Sequence, residues 1–260
     1  MKTKLIVLLS LFGFVTFSAK VTGIEKKDTL PIRFTENLGQ VTDQNYKLRT
    51  DIFFSGISES MAFHLRNNGI SYQINKTISW IEVSDPKTKE KIKVADKISA
   101  YRLDINWVGI NAEIKIIKGE AFGDYANYYS ASCPNGVSNV KSYKSITYKN
   151  LYDNIDLQYY EKNGTLKYDY IVMPGSDYKK IKLYIDGANK ITLQKNGSIN
   201  FETPYGNINE AAPVVFQNNK LLPAKWVLSE NILSFSIDNY DSKLPMVIDP
   251  AVRMWGTFYG

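Results

Sequence analysis

Residues 155–173 read IDLQYYEKNGTLKYDYIVM, and this segment indicates the fold class more strongly than any other. Apolar and polar residues alternate on both sides of Asn163-Gly164, from Ile155 to Lys162 and from Thr165 to Met173. A period of two is typical of a strand with one buried face and one wet face. Asn-Gly supplies the two positive φ angles of a type I′ turn, so this segment predicts a β-hairpin.

The same alternation recurs along the chain, at Tyr101–Trp107, Ile181–Ile185, Ile199–Phe201 and Leu233–Ile237. Two more Asn-Gly pairs, at Asn68-Gly69 and Asn196-Gly197, separate further strand-like runs. No amphipathic helix longer than about two turns is evident by the 3.6-residue period. The pattern predicts an all-β, β-sandwich-like fold, with two lobes of antiparallel sheets joined by a central loop.

Shifts in composition suggest how the chain is divided. A signal peptide is expected over residues 1–23, an N-terminal β lobe over 24–118 and a C-terminal β lobe over 141–250. The intervening residues 119–140 are rich in Gly, Ser, Asn and Ala, and they are predicted to form the loop region. Residues 251–260 are expected to open a truncated repeat strand.

The N-terminus carries the marks of an export signal. Lys2 and Lys4 precede an apolar run that extends to Phe17 and is interrupted only at Ser10, and small residues follow. This run is too short to span a bilayer comfortably, and cleavage is expected near residues 18–23. The sequence therefore predicts export, to the cell surface or medium, or to the periplasm if the chain acts alone.

Composition and charge narrow the function classes. The hydrophobic content of 44% is ordinary for a globular protein, and the formal net charge of +6 comes from interspersed charges of both signs. The most basic run, residues 87–93, contains Glu90 and follows a turn-like Ser84-Asp85-Pro86, as a solvated loop does. A nucleic-acid partner and a transmembrane segment are therefore not expected.

Few residues are suited to catalysis. His64 is the only histidine and lies in a strand-like run, and Cys133 is the only cysteine and lies in a loop-like segment. A Ser-His-Asp or Cys-His arrangement would have His64 alone as its base. Zinc sites draw on several His, Cys or carboxylate ligands, so neither a metal nor another cofactor is expected.

One enzymatic hypothesis remains, which places a glycosidase-type carboxylate pair at the 155–173 hairpin. Four acidic residues cluster there, Asp153, Asp156, Glu161 and Asp169. Strand alternation puts Asp156 on one face with Gln158 and Tyr160. Across the hairpin, Asp156 and Asp169 would come within the roughly 5 to 9 Å that glycosidase carboxyl groups require.

Aromatic residues support a different hypothesis. Aromatics make up 13% of the chain, with 18 Tyr and 4 Trp. Most are expected to be strand residues with a packed ring and a wet hydroxyl. Exposed rings would instead stack on sugars, and the candidates for carbohydrate binding are Tyr128, Tyr129, Tyr159, Tyr160 and Trp226.

An ordered set of short strings carries a family resemblance. Near the mature start it comprises Phe34–Gln40, and in the middle of the chain it comprises Asn127–Tyr129, Tyr148–Leu157 and Leu166–Gly175. Towards the end it comprises Glu210–Pro213, Phe216-Gln217, Val247–Pro250 and Trp255–Gly260. These strings resemble the uncharacterised N-terminal domain of large surface proteins, common in Bacteroidetes-type bacteria, that continue into SBBP β-propeller repeats.

The resemblance implies a place in a larger architecture. Such proteins often add PKD modules and a C-terminal sorting domain, and no catalytic residue is known for this domain. The Trp255–Gly260 string resembles the opening strand of a first repeat, so β-propeller repeats are expected to follow in a longer native protein. One departure is the absence of Trp between Asn127 and Tyr148, where the family usually carries one.

Three functions follow from these observations. The first is a non-catalytic, exported structural or interaction module of an adhesion-type surface protein, with glycans or other surface proteins as partners. The second is a carbohydrate-binding module that uses exposed aromatic rings. The third, least favoured, is a glycosidase-type enzyme.

Overall fold

The computed structural model describes residues 6–7, 31–58, 61–130 and 133–255. Within these ranges the chain forms antiparallel strands and a short 3₁₀ helix, Tyr178–Lys180. Most of the predicted signal peptide and the last five residues lie outside the described residues. The all-β, sandwich-like prediction is confirmed.

The strands are grouped in two sheets, of 11 and 9 strands. The first sheet contains β1 (Ile6–Val7), β2 (Phe34–Glu36), β3 (Ile52–Ser58), β4 (Met61–Arg66), β5 (Gly69–Ser84), β6 (Lys91–Trp107), β8 (Ala121–Ser130), β9 (Cys133–Tyr143), β13 (Leu183–Asp186), β18 (Ala224–Ser229) and β19 (Ile232–Ile237). The second contains β7 (Lys115–Lys118), β10 (Ser145–Tyr152), β11 (Ile155–Lys162), β12 (Thr165–Val172), β14 (Lys190–Leu193), β15 (Ile199–Thr203), β16 (Gly206–Gln217), β17 (Lys220–Leu222) and β20 (Met246–Trp255).

The hairpin predicted over residues 155–173 is present. β11 and β12 pair from Ile155↔Val172 to Lys162↔Thr165. Asn163 and Gly164 have φ angles of 55° and 75°, as a type I′ turn requires. At the Asn68-Gly69 pair the turn instead consists of Asn67 and Asn68, and Gly69 already pairs in the sheet.

The prediction of a loop over residues 119–140 is wrong. Residues 121–130 and 133–143 form β8 and β9, the outermost hairpin of the 11-stranded sheet. The pairing has three register shifts, and Asn139 and Gly136 adopt positive φ angles. Bulges of this kind accommodate the small polar residues that resemble a loop in the sequence, and an edge hairpin tolerates them.

The two sheets do not coincide with the two segments predicted as lobes. β13, β18 and β19 come from the C-terminal segment, yet β13 pairs with β6 in the 11-stranded sheet. β7 comes from the N-terminal segment and pairs with β10 in the other sheet. Chain segments far apart in sequence therefore complete both sheets.

A single core fills the space between the inner faces of the sheets, and much of it is aromatic. Trp107 of one sheet packs edge-on against Tyr148 of the other, with ring centroids 4.7 Å apart. The Tyr148 hydroxyl also donates to the carbonyl of Arg66 at 2.8 Å across the sheets. Tyr148 of β10 thus supplies both apolar area and a cross-sheet hydrogen bond.

Candidate functional site

Two of the five residues predicted to stack on sugars are core residues instead. Tyr159 and Trp226 are 2% and 1% exposed. Trp226 stacks on Phe235 and donates its indole N–H to the carbonyl of Ala211 at 2.9 Å. Their predicted role is wrong, because strand alternation turns both rings towards the interior, where no sugar reaches them.

The other three candidates do not form one surface. Tyr160 is half-buried on β11, and its hydroxyl donates to Asp169 at 3.1 Å. Tyr128 is half-buried on β8, in the other sheet. Only Tyr129 is well exposed, at 76%, and it has a neighbour that the sequence analysis missed, Tyr125, at 63%.

The hairpin carboxylates are held mainly by local partners. Asp156 accepts from Lys149 Nζ at 2.6 Å and from the backbone N–H of Asn150 at 2.7 Å, while Asp153 pairs with Lys180 at 2.7 Å. The Asp156 contacts support Asn150, whose φ is 60°. The register confirms that Asp156 and Asp169 share the outer face, at diagonal positions.

The carboxylate of Asp169 lies within electrostatic reach of Asp249 on β20. Pairing of β12 with β20 ends at Tyr170↔Ile248, one residue short of both aspartates. Lys167 Nζ donates to Asp249 at 3.1 Å, whereas Oδ1 of Asp169 is buried without a hydrogen-bond partner among the described residues. Burial, followed by the charge of Asp249, raises the pKa of Asp169 to about 6.

Replacing Asp169 by asparagine tests whether this proximity costs stability. A carboxyl whose pKa is raised from 3.8 to about 6 loses stability as the pH rises through that window. The Asp169→Asn variant is therefore expected to be about 1 kcal/mol more stable than the parent at pH 8, because water screens part of the repulsion. At pH 4 the two should unfold at nearly the same urea concentration; a pH-independent difference would contradict this account.

Among the described residues, His64 hydrogen-bonds with Ser55 and Gln73, and no carboxylate bonds to it. Its Nδ1 lies 2.8 Å from Oγ of Ser55, and burial lowers its pKa to about 4, so the imidazole is neutral at pH 7. The nearby carboxylate of Asp104 accepts instead from Ser71 at 2.6 Å and pairs with Arg102 at 3.0 Å. The arrangement joins neighbouring strands, and it lacks the acid that orients a catalytic histidine.

Two further features bear on chemistry. Cys133 is buried, with its Sγ 3.2 Å from Oγ of Ser130. Among the described residues no three His, Cys, Asp or Glu side chains gather as a metal site would require.

The part of the chain that the structure describes also contains no helix long and apolar enough to cross a membrane.

A long hairpin arm is the most prominent exposed feature. Beyond Gln73 no described strand other than β6 pairs with β5, and residues 91–97 of β6 pair with β5 alone. We call residues 77–84 and 91–98 the arm. Its length was not evident from the sequence, because the residues between its strands read as a solvated loop.

One face of the arm is apolar. Ile81 pairs with Val94, and Val83 pairs with Ile92, so these four side chains lie together on one side. Ile81 and Ile92 are 45% and 40% exposed. The other face carries Trp80 together with Glu82, which forms an ion pair with Lys91.

The fold and these surfaces define an all-β domain of two large antiparallel sheets, with an exposed arm and a buried aromatic core. A family model described as a domain of unknown function, DUF7948, matches residues 34–251. The chain belongs to this family. No curated protein and no solved structure matches this chain.

Proposed function

We propose that this chain is a non-catalytic, exported interaction module of a cell-surface or secreted protein, and that the apolar face of its arm docks onto a protein partner. The observation that carries the proposal is the cluster of Ile81, Val83, Ile92 and Val94. These residues lie on a part of the hairpin with which no other described strand pairs. Exposed apolar side chains that lie together are typical of an interaction site. The signal-like N-terminus supports export.

The face of the arm, rather than its edges, is suited to docking. Register shifts near Ser79 interrupt the β5 edge, and Lys91, Lys93 and Lys97 line β6. Bulges and lysines are the features by which proteins prevent strand addition at open edges. The apolar face lacks such protection, because neither pair that forms it contains a charge.

The larger architecture is part of the same proposal. The ordered strings described above support a place at the N-terminal side of β-propeller repeats in a Bacteroidetes-type surface protein. An immunoblot of native cell fractions, raised against residues 24–250, tests it. A band far above 29.6 kDa on the surface or in the medium is expected; a band slightly below that mass in the periplasm would mean that the domain acts alone.

Site-specific photo-cross-linking in intact cells tests the arm. A photoreactive residue at Ile92 is expected to give a discrete protein adduct, and the same residue at Leu193 is not. Leu193 is the matched control, since it is 45% exposed on β14 of the other sheet. Adding Ile81→Lys should reduce the adduct about tenfold, because an ammonium would be buried in the contact.

Three outcomes would refute the docking proposal. One is the absence of an adduct from Ile92, and another is the same adduct from Ile92 and Leu193. The third is an adduct that persists in the Ile81→Lys variant at full yield. Retention of the far-ultraviolet circular dichroism spectrum shows that the variant is folded, as expected for a change at a 45% exposed position.

A further inference from the structure

Tyr125, Asn127 and Tyr129 form a row along β8, the edge strand of the 11-stranded sheet. All three side chains are exposed, whereas those of Ala126 and Tyr128 between them are partly buried. The alternation shows that one face of β8 packs on the protein and the other faces solvent. We call these three residues the tyrosine platform.

The Tyr129 ring packs beside Gly136 of β9. A Cβ atom added at Gly136 of β9 would lie 2.5 Å from Cε1 of this ring, so the ring occupies the space that a side chain would fill. Gly136 also has a φ of 72°, which favours glycine. One edge of the ring therefore lies close to Gly136, and the ring remains 76% exposed.

Polar groups accompany the two rings. Asn127 lies between them, and its Oδ1 accepts from the backbone N–H of Asn139 at 2.9 Å, which fixes the amide. Lys141 is paired with Tyr125 across the strands, and its side chain is exposed. The platform thus combines two aromatic faces with an amide and an ammonium that are able to bind hydroxyl groups.

From this geometry we infer that the tyrosine platform binds a linear pyranose oligosaccharide. The negative face of an aromatic ring attracts the weakly positive C–H groups on one side of a sugar ring, and neighbouring polar groups bind its hydroxyls. Tyr125 and Tyr129 are four residues apart, about 13 Å along a strand, so one extended chain would contact both rings. A monosaccharide would reach only one.

The platform is separate from the arm. β8 is five strands away from β5 in the sheet order, about 24 Å at the usual strand spacing. Glycan binding at β8 therefore goes beyond the proposed docking of the arm. The failure of either proposal leaves the other intact.

Binding of the mature chain to immobilised linear oligosaccharides, neutral and acidic, tests the inference. We expect Tyr129→Ala and Tyr125→Ala each to weaken binding about tenfold, the lower end of the effect that alanine substitution has where nucleobases stack on aromatic rings. Tyr129→Phe should bind within about twofold of the parent, because the ring face remains. Tyr184→Ala is the matched control, since Tyr184 is an exposed tyrosine on β13.

Several results would overturn the inference. Binding to no oligosaccharide is one, and binding that is unchanged in both the Tyr125→Ala and Tyr129→Ala variants is another. Equal loss in Tyr184→Ala would show non-specific adsorption. If Tyr129→Ala instead abolished a protein cross-link and left glycan binding unchanged, the row would be a protein contact rather than a sugar site.

Discussion

Replacing Trp226 by alanine is expected to lower the free energy of unfolding by about 3–5 kcal/mol, the usual cost of deleting a buried large aromatic side chain. Trp226 is 1% exposed, and its ring stacks on Phe235 with centroids 4.6 Å apart. Its truncation leaves a cavity and also leaves the carbonyl of Ala211 without its indole donor. Urea unfolding followed by circular dichroism measures the effect.

Matched variants separate packing from hydrogen bonding at this position. Trp226→Phe retains most of the ring but loses the indole N–H, so a smaller cost of about 1–3 kcal/mol is expected. Trp80→Ala is the exposed control, since Trp80 is 60% exposed on the arm. The free energy of unfolding of this variant should stay within about 0.5 kcal/mol of that of the parent. Similar losses in Trp80→Ala and Trp226→Ala would contradict the assignment of Trp226 to the core.

The second large effect is a dependence of stability on pH that arises from Glu210. This residue is 1% exposed between the sheets, and the Tyr168 hydroxyl lies 3.1 Å from both carboxylate oxygens. Burial raises the pKa of Glu210 from 4.5 to about 7. The folded protein therefore holds a proton in a pH range where the unfolded chain has released it.

The direction in which stability changes with pH follows from that difference in proton binding. Between pH 4.5 and 7 the native state binds more protons than the unfolded state, so stability falls as the pH rises. The stabilisation is fully present below pH 4.5 and is lost above pH 7. The full change amounts to about 3 kcal/mol.

Glu210→Gln isolates this contribution from those of the other titrating groups. The amide does not titrate, so the difference in unfolding free energy between parent and variant is expected to shift by about 3 kcal/mol in favour of the variant from pH 4.5 to pH 8. Measuring urea unfolding of both proteins across this range gives the difference. A constant difference would show that Glu210 keeps an ordinary pKa in the folded protein.

Both effects originate at one bend of the 9-stranded sheet. The register of β16 against β20 shifts between Glu210 and Pro213, opposite Pro250. Proline cannot donate to a ladder, so regular pairing is interrupted there. Beside the shift, the carbonyl of Ala211 accepts from the indole of Trp226. Glu210 shares the buried face of β16 with Ile208 and accepts from Tyr168.

The fold class and the central hairpin were predictable from the amino-acid sequence. Alternation over Ile155–Lys162 and Thr165–Met173 and the Asn163-Gly164 turn are local signals, since side-chain period and turn φ angles depend on neighbouring residues only. Alternation alone also placed Asp156 on one face of its strand with Gln158 and Tyr160. These features were accessible because no distant contact is needed to produce them.

The exposure of individual aromatic rings and the proximity of particular acidic residues depend on how the sheets assemble. Alternation separates Tyr159 from Tyr160, but it does not say which of the two faces the other sheet. Asp169 lies near Asp249, which is 80 positions further along the chain, because β20 joins the sheet beside β12. Long-range pairing depends on how whole faces pack together, and a local pattern carries no information about that partner.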